Sequence, residues 1–379
     1  MKVVIVHDYL KEFGGAERVV DALHEIWPKA PVYTTIFLPK FAGPHKSRVR
    51  KWDVRTTFLQ YIPMKGKLLS PFRFIAPFIF KSIDLSNYDV VIVSAAGTYT
   101  SPNFIKKGKN TLHICYCHTP PRYLYGYPTA NPWDEVMWRK ILKMFGQIPM
   151  HFLRMADYWS GQKPDYFVVN SHEVAGRVEK FYRRKSKVIY PPVEIEMAEK
   201  YKNIERKDYY LVGGRISRHK GHDLAVRACT KLGRPLKVFG GGFASYGVSD
   251  LKKIAGKNVE FLGEVTDEEK WKLMASAKAL LFPSEMEDFG ITPVEAMAAG
   301  TPVIALGQGG VLETVVDGKT GVLFNERTIV SLTSAIKKFE KMSIISDDCR
   351  KQAGKFSKDK FKKEMKKFVE LKRKTKNYA

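Results

Sequence analysis

Short apolar runs alternate with amphipathic helical patterns along the whole chain. One series of runs occupies the first half, at Val3–Val6, Val32–Ile36, Val90–Ser94, Leu112–Cys117 and Phe167–Asn170. A second series occupies the second half, at Tyr209–Val212, Lys237–Phe239, Val259–Leu262, Ala279–Phe282, Thr301–Leu306 and Gly321–Phe324. Apolar strands that alternate with helices are typical of doubly wound parallel sheets. The pattern therefore predicts an α/β protein with two such sheets.

The boundary between the two series has its own composition. Val188–Val193 reads as a strand that ends in two prolines, which stiffen the backbone. A polar, charged run, Glu194–Lys207, follows it. We therefore expect a first domain over 1–193, a linker over 194–207 and a second domain over 208–355, followed by a basic amphipathic helix within 356–379.

The overall composition is that of a globular protein. A length of 379 residues favours two domains, and an apolar fraction of 44% is ordinary. The four cysteines match no usual metal or disulfide spacing, and we interpret them as reduced thiols in a cytoplasmic protein. The apolar run at the N-terminus fits a first strand rather than a signal peptide, and no run approaches the ~20 apolar residues of a membrane span.

The net charge of +25 is not spread evenly. Between Lys40 and Lys81, ten basic residues accompany one acidic residue, Asp53, and large apolar residues such as Phe74 and Phe78 lie among them. This mixture suits the headgroup boundary of an anionic membrane, which we expect as a partner. The alternative is a partly buried helix pair with a solvated basic face. Nucleic acid is not expected as a partner, because the chain has no zinc-finger spacing, RNP-like motif or basic zipper.

The stretch 284–305 contains two glutamates, Glu287 and Glu295, separated by seven residues. It predicts a loop after a strand, then a helix with Thr292 as its N-cap and Pro293 at its first position, and then another strand. Backbone amides at such a helix start attract phosphates and hydroxyl-rich ligands. From these residues alone, Thr292 and Glu295 could instead form a capping box, and Glu287 could be a solvated loop acid.

Two glycine-containing loops follow predicted strands. Gly14 and Gly15 follow the first strand, and Gly214 opens a loop that carries Arg215 and Lys220. A guanidinium, an ammonium and backbone amides on one loop suit a diphosphate. The alternatives are a tight turn that needs glycine and two solvated basic residues. The chain lacks G-x-G-x-x-G, which argues against a nicotinamide or flavin oxidoreductase.

His118 follows the strand Leu112–Cys117 directly. The carboxyl ends of parallel strands are where such sheets bind ligands, so His118 is a candidate ligand contact. The alternative is a buried structural histidine. The aromatic segment Tyr123–Trp133 reads as a loop that could stack on sugar rings.

These strings together resemble glycosyltransferase family 4. The match includes EDFGITPVEAMAAGTPVIA with its E-x7-E spacing, HTPPRY at His118, and GGRISRHKG around Arg215. The resemblance implies the GT-B fold, in which two Rossmann-like doubly wound domains face each other across a cleft and the final helix crosses back onto the first domain. It also implies a retaining reaction with no obligatory metal, and the chain has no Asp-x-Asp motif.

The resemblance assigns expected roles to named residues. The expected catalytic set is His118 at the transferred sugar, Arg215 and Lys220 at the diphosphate, and Glu287 at the sugar hydroxyls. The expected donor-binding set, which includes Glu295 at the ribose and a turn against the base, is Gly14, Gly15, Gly214, Leu262, Val265, Phe289, Gly290, Ile291 and Glu295.

The combination of motifs is similar to hexosyltransferases that use GDP-sugars. We expect GDP-mannose as donor, with a UDP-sugar as the alternative, and a lipid-linked or polysaccharide acceptor. The expected location is cytoplasmic, at the inner membrane face. Two other classes stay open, a non-catalytic module that binds polyanions and a nucleotide-dependent epimerase or phosphorylase on the same fold.

Overall fold

The computed structural model describes residues 1–38, 43–66, 68–128, 137–242 and 246–377. The chain forms two compact units, which are described separately below. Unit 1 contains Met1–Tyr127, continues to Pro192 and includes the C-terminal segment from Asp359. Unit 2 contains Val193–Lys358.

Unit 1 is built on a seven-stranded parallel sheet. Its strands are β1 (Val3–His7), β2 (Val32–Thr34), β3 (Val54–Thr56), β4 (Val90–Ala95), β5 (Leu112–Cys117), β6 (Tyr166–Val169) and β7 (Ser186–Val188). The strand order is β3-β2-β1-β4-β5-β6-β7. The central strands β1, β4 and β5 are mostly apolar and are buried along their whole length, because packed side chains cover both faces. The order reverses between β1 and β4, and this places the sheet's ligand-binding edge at the carboxyl ends of these two strands.

The helices of unit 1 cover both faces of that sheet. They are α1 (Gly15–Ile26), α2 (Lys46–Val49), α3 (Ala76–Lys81), α4 (Met137–Gly161), α5 (His172–Tyr182) and the C-terminal α13 (Lys358–Asn377). Short 3-10 helices occupy Gly43–His45, Phe58–Tyr61, Pro71–Phe74 and Pro102–Phe104. The apolar stripe of α13, formed by Phe361, Met365 and Val369, packs into the same core as β1.

Unit 2 is built on a six-stranded parallel sheet. Its strands are β8 (Tyr210–Gly213), β9 (Leu236–Phe239), β10 (Val259–Gly263), β11 (Ala279–Phe282), β12 (Val303–Leu306) and β13 (Gly321–Phe324). The order is β10-β9-β8-β11-β12-β13, which reverses between β8 and β11. The helices are α6 (His222–Leu232), α7 (Val248–Lys252), α8 (Asp267–Ser276), α9 (Ile291–Ala298), α10 (Val311–Thr314), α11 (Ile329–Glu340) and α12 (Ser346–Ala353), with 3-10 helices at Ile195–Tyr201, Arg218–Lys220 and Gly354–Phe356.

The prediction of two parallel sheets is confirmed, and β5 and β11 have the predicted bounds. The structure differs from the expected linker at 194–207. A 3-10 helix, Ile195–Tyr201, lies there, and it belongs to unit 2 because it packs against α8 and α9. Glu196, Glu199 and Lys200 are exposed on this short helix, and they give the segment its linker-like composition.

The sequence predicts that no segment spans a membrane and that the cysteines are reduced. Among the described residues, no helix combines the length and the apolar character needed to cross a bilayer. All four cysteines are free and buried.

Candidate functional site

The loops after β8, β9 and β10 lie against one another at the carboxyl edge of the unit 2 sheet. Gly214 has a φ of +107°, and Gly240 has a φ of +125°. A Cβ at Gly240 would overlap the carbonyl oxygen of Gly214, so only glycine allows this approach. The amide of Gly240 donates to the carbonyl of Gly263 at 2.6 Å. The three loops therefore approach one another through their backbones, which is typical of phosphate-binding surfaces.

Lys220 and Glu287 meet at the point where the strand order of unit 2 reverses. Lys220 ends the 3-10 helix after β8, and Glu287 lies in the loop after β11. The Lys220 Nζ donates to the Glu287 Oε2 at 2.5 Å, and the Ser284 hydroxyl donates to the same oxygen at 2.7 Å. The side chains of Lys220 and Glu287 remain 26% and 16% exposed. The ion pair is thus held in place but can still be reached by a ligand.

The main chain around Glu287 is fixed by its neighbours. The carbonyl of Glu287 accepts a hydrogen bond from the amide of Gly310 at 2.8 Å. A Cβ at Gly309, where φ is +65°, would overlap that carbonyl. Met286 also adopts a left-handed conformation, with φ at +50°. A non-glycine residue in this conformation is held there by its surroundings, and such positions cluster at ligand sites.

Arg215 lies on the loop after β8, five residues before Lys220, and its side chain is exposed. The neighbouring residue, Ile216, is fully buried, and its amide donates to the carbonyl of Gly241 at 2.9 Å. The loop backbone is therefore anchored directly beside Arg215. The structure places Arg215 and Lys220 on the same edge of unit 2, as candidate cations for one anionic ligand.

Glu295 has a partner that the sequence analysis did not identify. Its Oε1 accepts a hydrogen bond from the Lys270 Nζ at 2.9 Å, and their side chains are only 6% and 12% exposed. Lys270 also lies 3.3 Å from the carboxylate of Asp267. Two charges this well buried are stable only as a pair or with a ligand. Lys270 and Glu295 therefore join α8 to α9 beside the loop that carries Glu287.

The predicted cap of α9 is wrong. Gly290, with a φ of +92°, is the N-cap, and the helix begins at Ile291. Thr292 and Pro293 lie inside the first turn, where a missing proline N–H costs nothing because the first four amides have no partner within the helix. Glu295 is thus not part of a capping box with Thr292. The helix starts two residues earlier because Gly290 supplies the left-handed turn.

The remaining expected donor residues lie on unit 2 as follows. Leu262 and Val265 line a groove of about 380 Å³ together with Tyr209 and Leu273. Phe289 is buried and packs edge-on against Phe356, with ring centroids 5.4 Å apart. Phe289 therefore supports the start of α9 from inside and does not present its ring to a ligand.

In unit 1, Gly14 and Gly15 form the turn between β1 and α1. Gly14 is the N-cap of α1, and its amide donates to the Glu17 Oε2 at 2.8 Å. The other oxygen of Glu17 lies 3.4 Å from the His7 Nε2. Burial acts to lower the pKa of His7, but the hydrogen bond and charge of Glu17 outweigh it, so the pKa is raised. Burial acts to raise the pKa of Glu17, but the hydrogen bond and charge of His7 and the hydrogen bond from the Gly14 amide together outweigh it, so the pKa is lowered.

His118 is nearly buried at the carboxyl end of β5. Its Nε2 lies 2.9 Å from the Ser94 hydroxyl, and its carbonyl accepts a hydrogen bond from the Asn170 side chain at 3.0 Å. Burial lowers the pKa of His118 to about 3. The side chain is therefore neutral near pH 7, and it can donate or accept a hydrogen bond but cannot act as a cation.

The aromatic segment expected to stack on sugars is described only as far as Pro128. Within that part, the Tyr125 ring stacks on Phe181 with centroids 4.1 Å apart, and Arg73 lies over the Tyr123 ring. These rings contribute to packing inside unit 1. Residues 129–133 lie outside the described residues, and the proposed sugar stacking stays a prediction.

Sequence reasoning missed Lys270, Ser284 and Ser94. Ser284 is three residues from Glu287, and its hydroxyl could have been predicted as a partner from that short separation. Lys270 is 25 residues from Glu295, and Ser94 is 24 residues from His118. Nothing in the local sequence indicates these two contacts. Among the described residues, no cluster of histidine, cysteine and acidic side chains is arranged to hold a metal ion.

Comparisons with known proteins match this architecture. A sequence model described as Glycosyltransferase Family 4 matches residues 13–197, and one described as Glycosyl transferases group 1 matches residues 193–356. The chain is 27% identical to the alpha-1,3/1,6-mannosyltransferase ALG2 of Dictyostelium discoideum over 296 positions, 66% of this chain and 66% of that protein. It is 26% identical to the ALG2 of Rhizomucor pusillus over 385 aligned positions, 85% of this chain and 80% of that protein.

Solved structures show the same fold at lower identity. HepE of Anabaena in complex with UDP superposes with a TM-score of 0.68 at 17% identity, covering 98% of this chain and 100% of that chain. The sucrose-phosphate synthase of Thermosynechococcus elongatus superposes with a TM-score of 0.71 at 17% identity, covering 98% and 99%.

The fold and the family matches define a glycosyltransferase with the GT-B fold, two Rossmann-like parallel-sheet domains in one chain. The chain belongs to glycosyltransferase family 4. Its curated relatives include several alpha-mannosyltransferases.

Proposed function

We propose that this glycosyltransferase transfers mannose from GDP-mannose to a lipid-linked or glycan acceptor, with retention of the anomeric configuration. The observation that carries the proposal is the contact between Lys220 and Glu287 where the strand order of unit 2 reverses. That edge is where doubly wound sheets bind nucleotides. Unit 2 is therefore the proposed donor-binding unit, and unit 1 the proposed acceptor unit.

The proposed chemistry uses cations for the leaving group. Arg215 and Lys220 hold the diphosphate and stabilise the charge that grows on it as the bond to the sugar breaks. Glu287 accepts hydrogen bonds from the sugar hydroxyls and keeps the Lys220 ammonium in place. The acceptor hydroxyl attacks the anomeric carbon from the face that the diphosphate leaves, and its proton passes to the departing phosphate oxygen. Retention follows from this front-face attack.

The proposed nucleotide contacts lie beside the diphosphate loops. Glu295 accepts hydrogen bonds from the ribose hydroxyls, with Lys270 as its fixed partner. The turn Leu262–Val265 contacts the base. The mannosyltransferases among the relatives support mannose and hence GDP-mannose, whereas the HepE complex with UDP keeps a UDP-sugar as the second candidate.

Calorimetric titration of the full chain with GDP, GDP-mannose, UDP and UDP-glucose tests the donor. The proposal expects GDP and GDP-mannose to bind at micromolar concentration and at least tenfold more tightly than the uridine compounds. Tighter binding of UDP would show that the donor is a UDP-sugar and not GDP-mannose. Binding of none of the four would overturn the proposed donor site.

The proposed acceptor side includes contact with an anionic membrane at the cytoplasmic face. Helix α4 presents an apolar stripe to solvent, in which Ile148 is 67% exposed, Phe152 63% and Trp159 58%. Its opposite face buries Leu153 together with the polar Asp157 and Ser160. An ordinary surface helix turns its apolar stripe to the core, whereas the stripe of α4 faces solvent. We refer to the exposed residues Ile148, Phe152, Met155 and Trp159 as the α4 stripe.

A second set of exposed apolar residues lies in the basic segment that the sequence analysis singled out. Phe74, Phe78 and Tyr61 are 50%, 74% and 85% exposed, whereas Ile79 and Phe80 are buried in the unit 1 core. Exposed aromatic residues mixed with lysine and arginine bind the headgroup region of anionic bilayers. Lys40 and Lys67 of this segment lie outside the described residues.

Sedimentation with lipid vesicles tests the membrane contact. The proposal expects the chain to bind vesicles that contain a phosphatidylglycerol fraction more tightly than pure phosphatidylcholine vesicles, with a decrease as salt is raised. Equal, weak binding to both kinds of vesicle would contradict it. Strong salt-dependent binding to DNA with no vesicle binding would favour the polyanion-binding module instead.

A further inference from the structure

A chain of buried hydrogen bonds connects the Gly14 turn to His118. We infer that Ser94 fixes the tautomer of His118, so that neutral His118 carries its proton on Nδ1 and presents an N–H donor to a bound ligand. Ser94 is thus a positioning residue, and the Glu17–His7 pair sets the direction of its hydroxyl. The inference rests on the proposed role of His118 as a contact of the transferred sugar.

The first step is the protonation of His7. Its Nε2 faces the carboxylate of Glu17 at 3.4 Å, and its Nδ1 faces the carbonyl oxygen of Ser94 at 3.0 Å. Carboxylate and carbonyl oxygens only accept hydrogen bonds, so both ring nitrogens of His7 must donate. His7 is therefore an imidazolium paired with Glu17. The raised pKa of His7 and the lowered pKa of Glu17 agree with this state.

The second step is the direction of the Ser94 hydroxyl. The His7 Nδ1 also lies 3.1 Å from the Ser94 Oγ, which must act as an acceptor there because His7 is the donor. The hydroxyl proton of Ser94 is then left for its other neighbour, the His118 Nε2 at 2.9 Å. Ser94 is fully buried, and water does not compete for this hydroxyl.

The third step is the state of His118. A neutral imidazole that accepts a hydrogen bond at Nε2 carries its proton at Nδ1. Burial and the positive charge of His7 together lower the pKa of His118 to about 3, which keeps the ring neutral. The group that His118 offers to a ligand is thus an N–H donor. The oxygen that it binds must accept, as a sugar hydroxyl or ring oxygen can.

The charged groups around His7 belong to several elements of unit 1. Glu17 lies on α1, and Asp8 follows β1, with its carboxylate accepting hydrogen bonds from the amides of Thr98 and Tyr99 at 3.0 and 3.1 Å. Both acids favour a cationic His7. The cationic His7 is therefore separated from His118 by the hydroxyl of Ser94.

Two-dimensional NMR of the full chain, with 15N-labelled histidine and no ligand, tests the inference. The expected spectrum shows His118 as the Nδ1–H tautomer and His7 with both nitrogens protonated. In Ser94→Ala, His118 should lose its single tautomer. His113 is the internal reference because it is buried on the same strand and its Nε2 lies 3.1 Å from the Asn103 Oδ1. Its signals should not move.

The inference is overturned if wild-type His118 is the Nε2–H tautomer, a result that needs no variant, or if Ser94→Ala leaves its tautomer unchanged. Transfer assays form a separate arm. If the chain transfers sugar, Ser94→Ala should lower kcat about tenfold, which corresponds to the loss of one neutral hydrogen bond. Ser94→Thr keeps the hydroxyl and should restore part of the activity. Absence of transfer by the wild-type chain would contradict the proposed function. The NMR result for the His118 tautomer would still test the inference about Ser94.

Discussion

Lys220 and Glu287 are 67 residues apart in the chain, and their charged groups are 2.5 Å apart in the structure. The contact joins the loop after β8 to the loop after β11, the two strands between which the sheet order of unit 2 reverses. Glu287 thus holds the ammonium of Lys220 at the edge where a diphosphate would bind. A cation fixed before the ligand arrives needs little reorganisation during the reaction.

The buried Glu295 gives a prediction about the ribose. If Glu295 accepts hydrogen bonds from the ribose hydroxyls, GDP should bind the wild-type chain about tenfold more tightly than 2′-deoxy-GDP. In Glu295→Gln both nucleotides should bind weakly and with nearly equal affinity, since the carboxylate that distinguishes them is gone. Calorimetric titration measures both affinities. An unchanged ratio in Glu295→Gln would show that this carboxylate does not contact the ribose.

The close approach of two glycine loops predicts the effect of a single methyl group. In Gly240→Ala the new Cβ would overlap the carbonyl of Gly214, in a backbone conformation that L-residues rarely adopt. We expect a loss of about 3 kcal/mol in the free energy of unfolding of unit 2, together with loss of nucleotide binding. Chemical denaturation measures the first effect. Gly354→Ala is the control, because its Cβ would meet open space at a negative φ, and its stability should stay within about 0.5 kcal/mol of wild type.

The buried Asp157 beneath the α4 stripe predicts a pH dependence. Burial raises the pKa of Asp157 from 3.8 to about 6, although hydrogen bonds from Tyr182 and Tyr125 oppose this shift. The folded chain therefore binds this proton more tightly than the unfolded chain does. The stabilisation is complete below the unfolded pKa, and it is lost as the pH rises through about 6.

The variant Asp157→Asn lacks this titration. The free energy of unfolding of wild type minus that of the variant should fall by about 2.5 kcal/mol between pH 4 and pH 7, the part of the pKa shift that is expressed within this range. Urea unfolding at several pH values gives both curves. Parallel curves across this range would mean that Asp157 does not retain its proton on folding.

The α4 stripe predicts which residues control membrane binding. In the double variant Phe152→Ser with Trp159→Ser, binding to phosphatidylglycerol vesicles should fall at least tenfold, since each ring contributes about 1.5–3 kcal/mol when it leaves water. Val330→Ser with Ile345→Ser is the matched control, because these residues of unit 2 are 66% and 63% exposed. Equal losses in the two double variants would show a general loss of hydrophobicity instead of a defined surface.

The sequence was informative wherever structure follows from local pattern. The strand Leu112–Cys117 has six consecutive buried residues, and its bounds were predicted correctly. A threonine followed three residues later by an acid indicates a capping box, and Thr266 and Glu269 form one at the start of α8, with both backbone hydrogen bonds made. The start of α9 was placed wrongly because Thr292 and Pro293 favour a helix start, but so does Gly290, and local preference cannot decide between them.

The contacts that build the site could not be predicted in the same way. Lys270 and Glu295 lie on different helices, whereas Ser94 lies on β4 and His118 directly follows β5. Only the register of the sheet and the packing of the helices bring the members of each pair together. The solvent exposure of the apolar face of α4 could not be predicted for another reason. A helical pattern of polar and apolar residues does not reveal which side faces the core, and here the buried side carries Asp157 and Ser160 beside Leu153.

Transfer of radiolabelled mannose from GDP-mannose to a membrane lipid extract tests the central claim most directly. The assay compares wild type with Lys220→Ala and with Lys257→Ala, which removes an exposed lysine from the same unit. We predict transfer by wild type and by Lys257→Ala at similar rates, and a decrease of about 10²–10³ in Lys220→Ala with unchanged thermal stability. Transfer by Lys220→Ala at the wild-type rate would contradict the assignment of this edge of unit 2 as the donor site.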